Sequence, residues 1–158
     1  MKFAGLDIGT TTISGVLWDT DTASCINSLT LPNESHIPST APWEDLQDPE
    51  QIYRTCQDIL AQFITKLGKL DGIGLTGQMH GILYVDVEGR ALSPLVTWQD
   101  GRGGLSYSDS EFYSDYLTAQ TGHQMSTGFG LTTHFYNLKH SLVPQGAKSI
   151  CTIADAVA

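Results

Sequence analysis

Phe3-Ala-Gly-Leu-Asp-Ile-Gly-Thr-Thr-Thr-Ile-Ser-Gly-Val-Leu-Trp18 decides the fold of this 158-residue chain. Phe3, Ala4, Leu6 and Ile8 make residues 2–8 a buried strand carrying one acid, Asp7. Gly9 turns the chain and suits a positive φ. Thr11, Thr12 and Ile13 are β-branched and predict a return strand to Trp18. After the turn cluster Asp19-Thr-Asp-Thr22, residues 24–31 predict a third antiparallel strand, with Cys25, Leu29 and Leu31 on one face and Ile26 on the other. The opening is therefore a β-meander. P-loop and dinucleotide fingerprints need strand, glycine loop and helix in that order, and neither G-x-x-x-x-G-K-[ST] nor G-x-G-x-x-G occurs. A hairpin grip for phosphate remains. Amides of Gly9, Thr10 and Thr11, with the hydroxyls of Thr10, Thr11 and Thr12, are its donors. Asp7 repels phosphate but can hold Mg²⁺ through water. Taken alone, the stretch fits a plain hairpin turn equally well, with Asp7 accepting local amide bonds.

Outward from this hairpin, residues 32–47 read as an exposed loop. A helix follows, with Asp48 as cap, Pro49 in its first turn, Gln51 completing a capping box and Gly68 as its stop. Ile52, Cys56, Ile59, Leu60, Phe63, Ile64 and Leu67 share one helical face. Residues 71–76 predict a short buried strand, residues 82–87 another, Glu88-Gly89 a turn and residues 95–98 a further strand. Residues 110–121 predict a helix with Phe112, Tyr113, Tyr116 and Leu117 inward and Gly122 as its stop. Leu131, Phe135, Leu138 and Leu142 mark another helix, before a strand at 148–153 and a helix opening at Asp155.

Formal net charge is −9, which argues against broad nucleic-acid binding but not against a small phosphorylated ligand held by amides. No apolar run reaches membrane-spanning length, and Asp7 interrupts any signal-peptide core. Cys25, Cys56 and Cys151 are sparse and widely spaced, which predicts reduced thiols and a cytoplasmic protein. His123, His134 and His140 show no zinc spacing.

Two further stretches carry chemistry. Gly77-Gln-Met-His-Gly81 follows a strand directly, where open α/β sheets place ligands. Gln78 and His80 offer donors and acceptors for vicinal hydroxyls, and Met79 offers soft apolar contact. In Thr97-Trp-Gln-Asp-Gly-Arg102, Trp98 suits an apolar wall and Asp100 a hydroxyl acceptor, with Arg102 as an ion-pair partner holding Asp100 or the loop. Alone, this third stretch also fits a buried Trp beside a surface acid–base pair. Gly128-Phe-Gly130 and Thr132-Thr133 offer a further wall for a polyol pocket, but read better as a glycine-rich helix start with threonine caps. Tyr53, Tyr107, Tyr113 and Tyr116 read as packing residues.

Asp7-x-Gly9-Thr10-Thr11 within a three-strand opening resembles the first phosphate motif of the actin-like ATPase superfamily. Residues 77–81 and 97–102 resemble two sugar-site motifs of the FGGY carbohydrate kinases, and Gln47-Asp48-Pro49 resembles that family's helix start. The resemblance covers essentially the whole chain. It implies an α/β, ribonuclease-H-like (actin-like ATPase) N-terminal domain, truncated. It also implies ATP and Mg²⁺ as cofactors, a small-molecule ketose as substrate, and the potential for a homodimer of the full-length protein. Met79 and His80 match the substrate-binding pair of the xylulose-kinase branch, where glycerol kinases carry Arg-Glu; residues 97–102 look more like the sedoheptulose-kinase branch. In the family an aspartate base lies beyond the position of Ala158, as does the second, ATP-binding domain. Neither Asp7 nor Asp100 is that base. The expectation is a partial N-terminal domain over residues 1–158, inactive by itself. A non-catalytic sugar-binding module is the alternative from another class.

Overall fold

The protein, seen as a computed structural model, is described for residues 1–39 and 41–158. In chain order its elements are β1 (Lys2–Ile8), β2 (Thr12–Asp19), β3 (Ser24–Pro32), β4 (His36–Ile37), β5 (Leu46–Gln47), α1 (Pro49–Leu67), β6 (Gly72–Gly77), β7 (Leu83–Val85) and β8 (Leu95–Val96). After a 3₁₀ turn at Arg102–Gly104 come β9 (Ser106–Ser108), β10 (Glu111–Phe112), α2 (Tyr113–Thr121), α3 (Gly130–Lys139), β11 (Ser149–Cys151) and α4 (Ile153–Val157). The meander forms as predicted, and β6 joins it parallel to β1, giving the sheet order β3-β2-β1-β6. Smaller sheets follow, ordered β4-β5-β8, β11-β7 and β10-β9.

The alternation of β1 and β2 sends Ala4, Leu6, Ile8, Ile13 and Leu17 to one face, where α1 covers them with Ile52, Cys56, Ile59 and Phe63. Gly15 sits between them. A Cβ there would stand 2.4 Å from Ile59 Cγ2 and 3.0 Å from the Phe63 ring, so the missing side chain is what lets helix and sheet meet. Gly15→Ala is expected to cost about 1–3 kcal/mol by overpacking. Gly74→Ala, where nothing lies within 4 Å, serves as the control for a loss in urea midpoint.

The third strand departs from simple alternation. Leu17 pairs with Asn27 and Trp18 with Cys25, leaving Ile26 as the extra residue of a bulge. The bulge turns Ile26 inward with Leu29 and Leu31 and leaves Cys25 exposed, reversing the expected faces of those two residues. On α1, Asp48 Oδ1 accepts from the Glu50 and Gln51 amides, and Gly68 ends the helix at φ 84°. The expected reciprocal bond from Gln51 is not needed, because the Asp48 N–H donates to Ser35 O at 2.8 Å. Thr55 joins the buried face and Ile64 leaves it.

Residues 32–47 hold more structure than an exposed loop. β4 pairs with β5 and β5 with β8, and Ser35 and Gln47 are buried. The partner strand lies some fifty positions away (Leu46 pairs with Val96), so no local pattern announces it. The part of that loop expectation falling on Thr40 lies outside the described residues. β6 is an edge strand rather than a buried one, with Ile73 exposed. α2 begins at Tyr113, leaving Phe112 outside, and Gly122 ends it in the left-handed region. Tyr107, Tyr113 and Tyr116 pack around Phe135, as packing residues should. α3 is present, but Leu131, Leu138 and Leu142 point outward while Thr132, Thr133, Tyr136 and Asn137 are buried. Its inner face is polar because it packs on a buried arginine, described below. α4 opens earlier than expected, through a capping box of Thr152 and Asp155.

Candidate active site

The turn between β1 and β2 is closed by the Gly9 N–H, which donates to Thr12 O at 2.9 Å. That amide is consumed inside the hairpin, which corrects its expected role as a phosphate donor. Gly9 does not adopt a positive φ; it is required because a Cβ would lie 2.8 Å from Thr12 O. Asn33 clamps the turn from outside, its Nδ2 donating to Gly9 O at 2.8 Å and its backbone N–H to Thr11 O at 2.9 Å. Thr11 and Thr12 are exposed. Asp7 points to the sheet face opposite α1, level with Ser14 on β2 and Thr76 on β6. It is the acid of a hollow of about 320 Å³ that Ser14, Thr30 and Thr76 also line. None of the described residues hydrogen-bonds its carboxylate, so local amides do not account for it. An exposed carboxylate among hydroxyls, beside a turn of donors, fits a hydrated Mg²⁺ on a phosphate chain.

The second stretch begins where β6 ends. The Gln78 N–H donates to Ile8 O at 2.8 Å, which sets the loop against the end of β1. The Gln78 side chain turns inward, its Nε2 donating to Gln47 Oε1 at 2.8 Å and its Oε1 facing the Thr10 hydroxyl at 3.4 Å. Met79 and His80 stay at the surface. His80 has φ 69°, a left-handed conformation that a side chain rarely adopts. Its ring stacks on Phe129 with centroids 4.3 Å apart and planes at 10°. The surroundings impose this. Gly81 is buried, and a Cβ on Gly130 would meet His80 O at 2.9 Å.

The third stretch is pinned at both ends. Thr97 is fully buried; its hydroxyl donates to Asp45 Oδ1 at 2.5 Å and accepts from the Gln99 N–H at 3.1 Å. Trp98 is 49% exposed, and its indole N–H donates to Thr10 Oγ1 at 3.0 Å. Asp100 departs from its expected role as a sugar ligand. It is fully buried, and its oxygens accept from Arg102 Nε at 2.7 Å, Arg102 Nη2 at 3.0 Å and the Asp45 N–H at 3.1 Å. Arg102 continues to Asn137 Oδ1 at 2.5 Å and lies over Trp43 and Tyr136. Asn137 Nδ2 donates to the Tyr84 hydroxyl at 3.1 Å, whose own hydrogen is left for His134 Nδ1 at 2.9 Å. Burial pushes the Tyr84 phenol above its ordinary pKa, so it keeps that hydrogen.

The sequence does not announce the buried bonds of Gln47 and Asn137, and it favours a helix start over a pocket wall at Phe129. Gln47 lay in a supposed loop and Asn137 on a supposed outer helix face. Phe129 did have a signal, because it is flanked by Gly128 and Gly130, and a Cβ on Gly128 (φ 84°) would sit 1.9 Å from Trp98 O. Thr132 and Thr133 do not cap α3; its cap position is Phe129, and the Thr132 hydroxyl has no partner among the described residues.

Residues 3–140 match the FGGY family of carbohydrate kinases, N-terminal domain. The chain belongs to this family. Among curated FGGY relatives, it is similar to the sedoheptulokinase of Mus musculus, 32% identical over 92% of this chain and 34% of that protein. It is also similar to the xylulose kinase of Klebsiella pneumoniae, 27% identical over 80% of this chain and 26% of that protein. The chain thus spans about a third of the length of such relatives. A crystal structure of a xyloylose kinase from Brucella ovis superposes with TM-score 0.82 at 22% identity, covering 99% of this chain and 33% of that one. This likeness fixes the fold as the ribonuclease-H-like, actin-like ATPase kind of the FGGY kinases, in its N-terminal part.

Proposed function

We propose that the protein to which this chain belongs transfers the γ-phosphoryl group of ATP to a terminal hydroxyl of a ketose, with sedoheptulose as the first acceptor to consider. One observation carries this reading. Thr10 of the phosphate turn is hydrogen-bonded to Trp98 and faces Gln78, so the phosphate and sugar stretches converge on one residue. A phosphoryl donor and a polyol acceptor held there lie side by side, as direct transfer requires.

In this reading Asp7 orients Mg²⁺ through water, and the metal neutralises phosphate charge. Thr10, Thr11 and Thr12 border the phosphates, with Gly9 shaping the turn. Met79, His80 and the exposed face of Trp98 line the sugar side. Gln78 acts by fixing the loop, and Asp100 by fixing Arg102 and the strand end. The proton acceptor for the sugar hydroxyl lies outside these residues, so the isolated chain turns over no ATP; sugar-dependent turnover by residues 1–158 alone overturns that. Among the described residues no helix is long and apolar enough to cross a membrane. A cytoplasmic enzyme is the setting in which ATP and sugar are both available.

Xylulose is the second acceptor, favoured by the match to the Klebsiella enzyme and by the Met79-His80 pair. A panel of sedoheptulose, xylulose, ribulose and glycerol, assayed with the full-length protein and ATP, decides between them. Sedoheptulose giving the highest kcat/KM supports the proposal. Glycerol as best substrate overturns it, and sugar binding without turnover leaves a non-catalytic module. His80→Ala is expected to weaken ketose binding roughly tenfold, the worth of a lost hydrogen bond. ATP affinity should hold; unchanged ketose affinity by calorimetry would place the pocket elsewhere.

A further inference from the structure

The phosphate turn and the two sugar stretches belong to different segments, and one buried side chain outside all of them ties them together. Gln47 is 3% exposed and sits on β5, with its backbone paired to His36 on one side and Leu95 on the other. Its Nε2 donates to Thr10 O at 2.8 Å, and its Oε1 accepts from Gln78 Nε2 at 2.8 Å. Thr10 Oγ1 accepts from the Trp98 indole at 3.0 Å and faces Gln78 Oε1 at 3.4 Å. Gln47, Thr10 and Gln78 thus form a closed ring, with Trp98 attached to it. A carboxamide presents a donor and an acceptor on one planar head, and here each meets its complement. A carboxylate of the same shape would turn an oxygen toward the Thr10 carbonyl, and an aliphatic side chain would satisfy neither neighbour.

We propose that Gln47 is a positioning residue that sets the distance between the phosphate turn and the sugar loop, and so determines whether the sugar hydroxyl or water receives the phosphoryl group. This rests on the kinase function proposed above. In the productive step the bond from the γ-phosphorus to the ADP oxygen breaks and a bond to the sugar oxygen forms, while the sugar hydroxyl proton passes to a carboxylate base outside this chain. In the unproductive step a water oxygen makes that bond, and inorganic phosphate leaves. Only the alignment of the acceptor oxygen separates the two outcomes.

The test is the ratio of ADP released to sugar phosphate formed by the full-length protein at saturating ketose, for wild type, Gln47→Leu and Gln47→Glu. Thr55→Val is the control, since Thr55 is also buried but its side chain bonds only within α1. In the Gln47 variants the ratio is expected to rise about threefold or more above wild type, with sugar-phosphate kcat down roughly tenfold and sugar KM within about threefold. Thr55→Val should keep the wild-type ratio. If the Gln47 variants lose both products in proportion, with the ratio unchanged, Gln47 is only a packing residue and the proposal fails. Should Gln47→Leu not accumulate folded, Gln47→Asn keeps both polar atoms on a shorter stem and is read by the same ratio. A wild-type protein forming no sugar phosphate from any ketose overturns the kinase function itself; an active wild type with unaltered variant ratios overturns this inference alone.

Discussion

Asp7→Asn in the full-length protein is expected to lower kcat by roughly 10²–10³-fold, the range seen when one preorganised electrostatic group is removed from a transition state. Ketose affinity should stay within about twofold, because uniform binding and transition-state stabilisation are separable quantities. The substitution keeps shape and removes charge. Asp7 faces away from the core, so neither Leu6 nor Ile8 is disturbed. What is lost is the negative group that would hold a hydrated Mg²⁺ beside the phosphates. Steady-state kinetics with ketose and ATP varied separately reads the split. Equal kcat/KM in mutant and wild type would remove Asp7 from the phosphate machinery.

Arg102→Met is expected to destabilise the protein by about 3–5 kcal/mol, the cost of stripping a partner from a buried charge. Asp100 is fully buried, and the Arg102 guanidinium supplies two of the four donors to its carboxylate. Methionine fills much of the space over Trp43 and Tyr136 but leaves the carboxylate short of donors and Asn137 Oδ1 without one. The double variant Asp100→Leu/Arg102→Met removes both charges and should recover more than half of the loss. Urea unfolding of the two variants against wild type checks both statements. A double variant no more stable than the single would mean that the pair contributes net stability, beyond avoiding an orphaned charge.

The sequence displays its local elements well and its long-range pairings poorly. Glycine and threonine spacing made the β1–β2 hairpin and the absence of a P-loop readable, because turn chemistry is local. Asp48 and Pro49 marked the start of α1 for the same reason. Side-chain direction failed wherever something distant decided it. Leu131 and Leu138 have helical spacing, yet the opposite face of α3 is buried because Asn137 must reach Arg102. Ile26 turns inward only because of a bulge fixed by the neighbouring strand. Candidate site residues were found through types that suit phosphate and polyols. Which of them stay exposed was not legible, since Asp100 and Gln78 look like ligands in a list of residues and bond to neighbouring side chains in space. Gln47 stood out only as part of the Gln47-Asp48-Pro49 helix start, because the partners of its side chain lie 37 and 31 positions away.

The left-handed backbone at His80 has a consequence for anyone varying the proposed sugar side to change its acceptor. Only Gly, Asn and Asp join His in tolerating that conformation readily, and β-branched residues resist it. A library at position 80 therefore holds few viable members, most of them losing the imidazole stacked on Phe129. Met79, exposed and without that constraint, accepts nearly any replacement. Two adjacent positions thus differ sharply in how much chemical variety they can sample. Diversity spent at 79 should return folded protein, while diversity spent at 80 is largely discarded before function is ever screened.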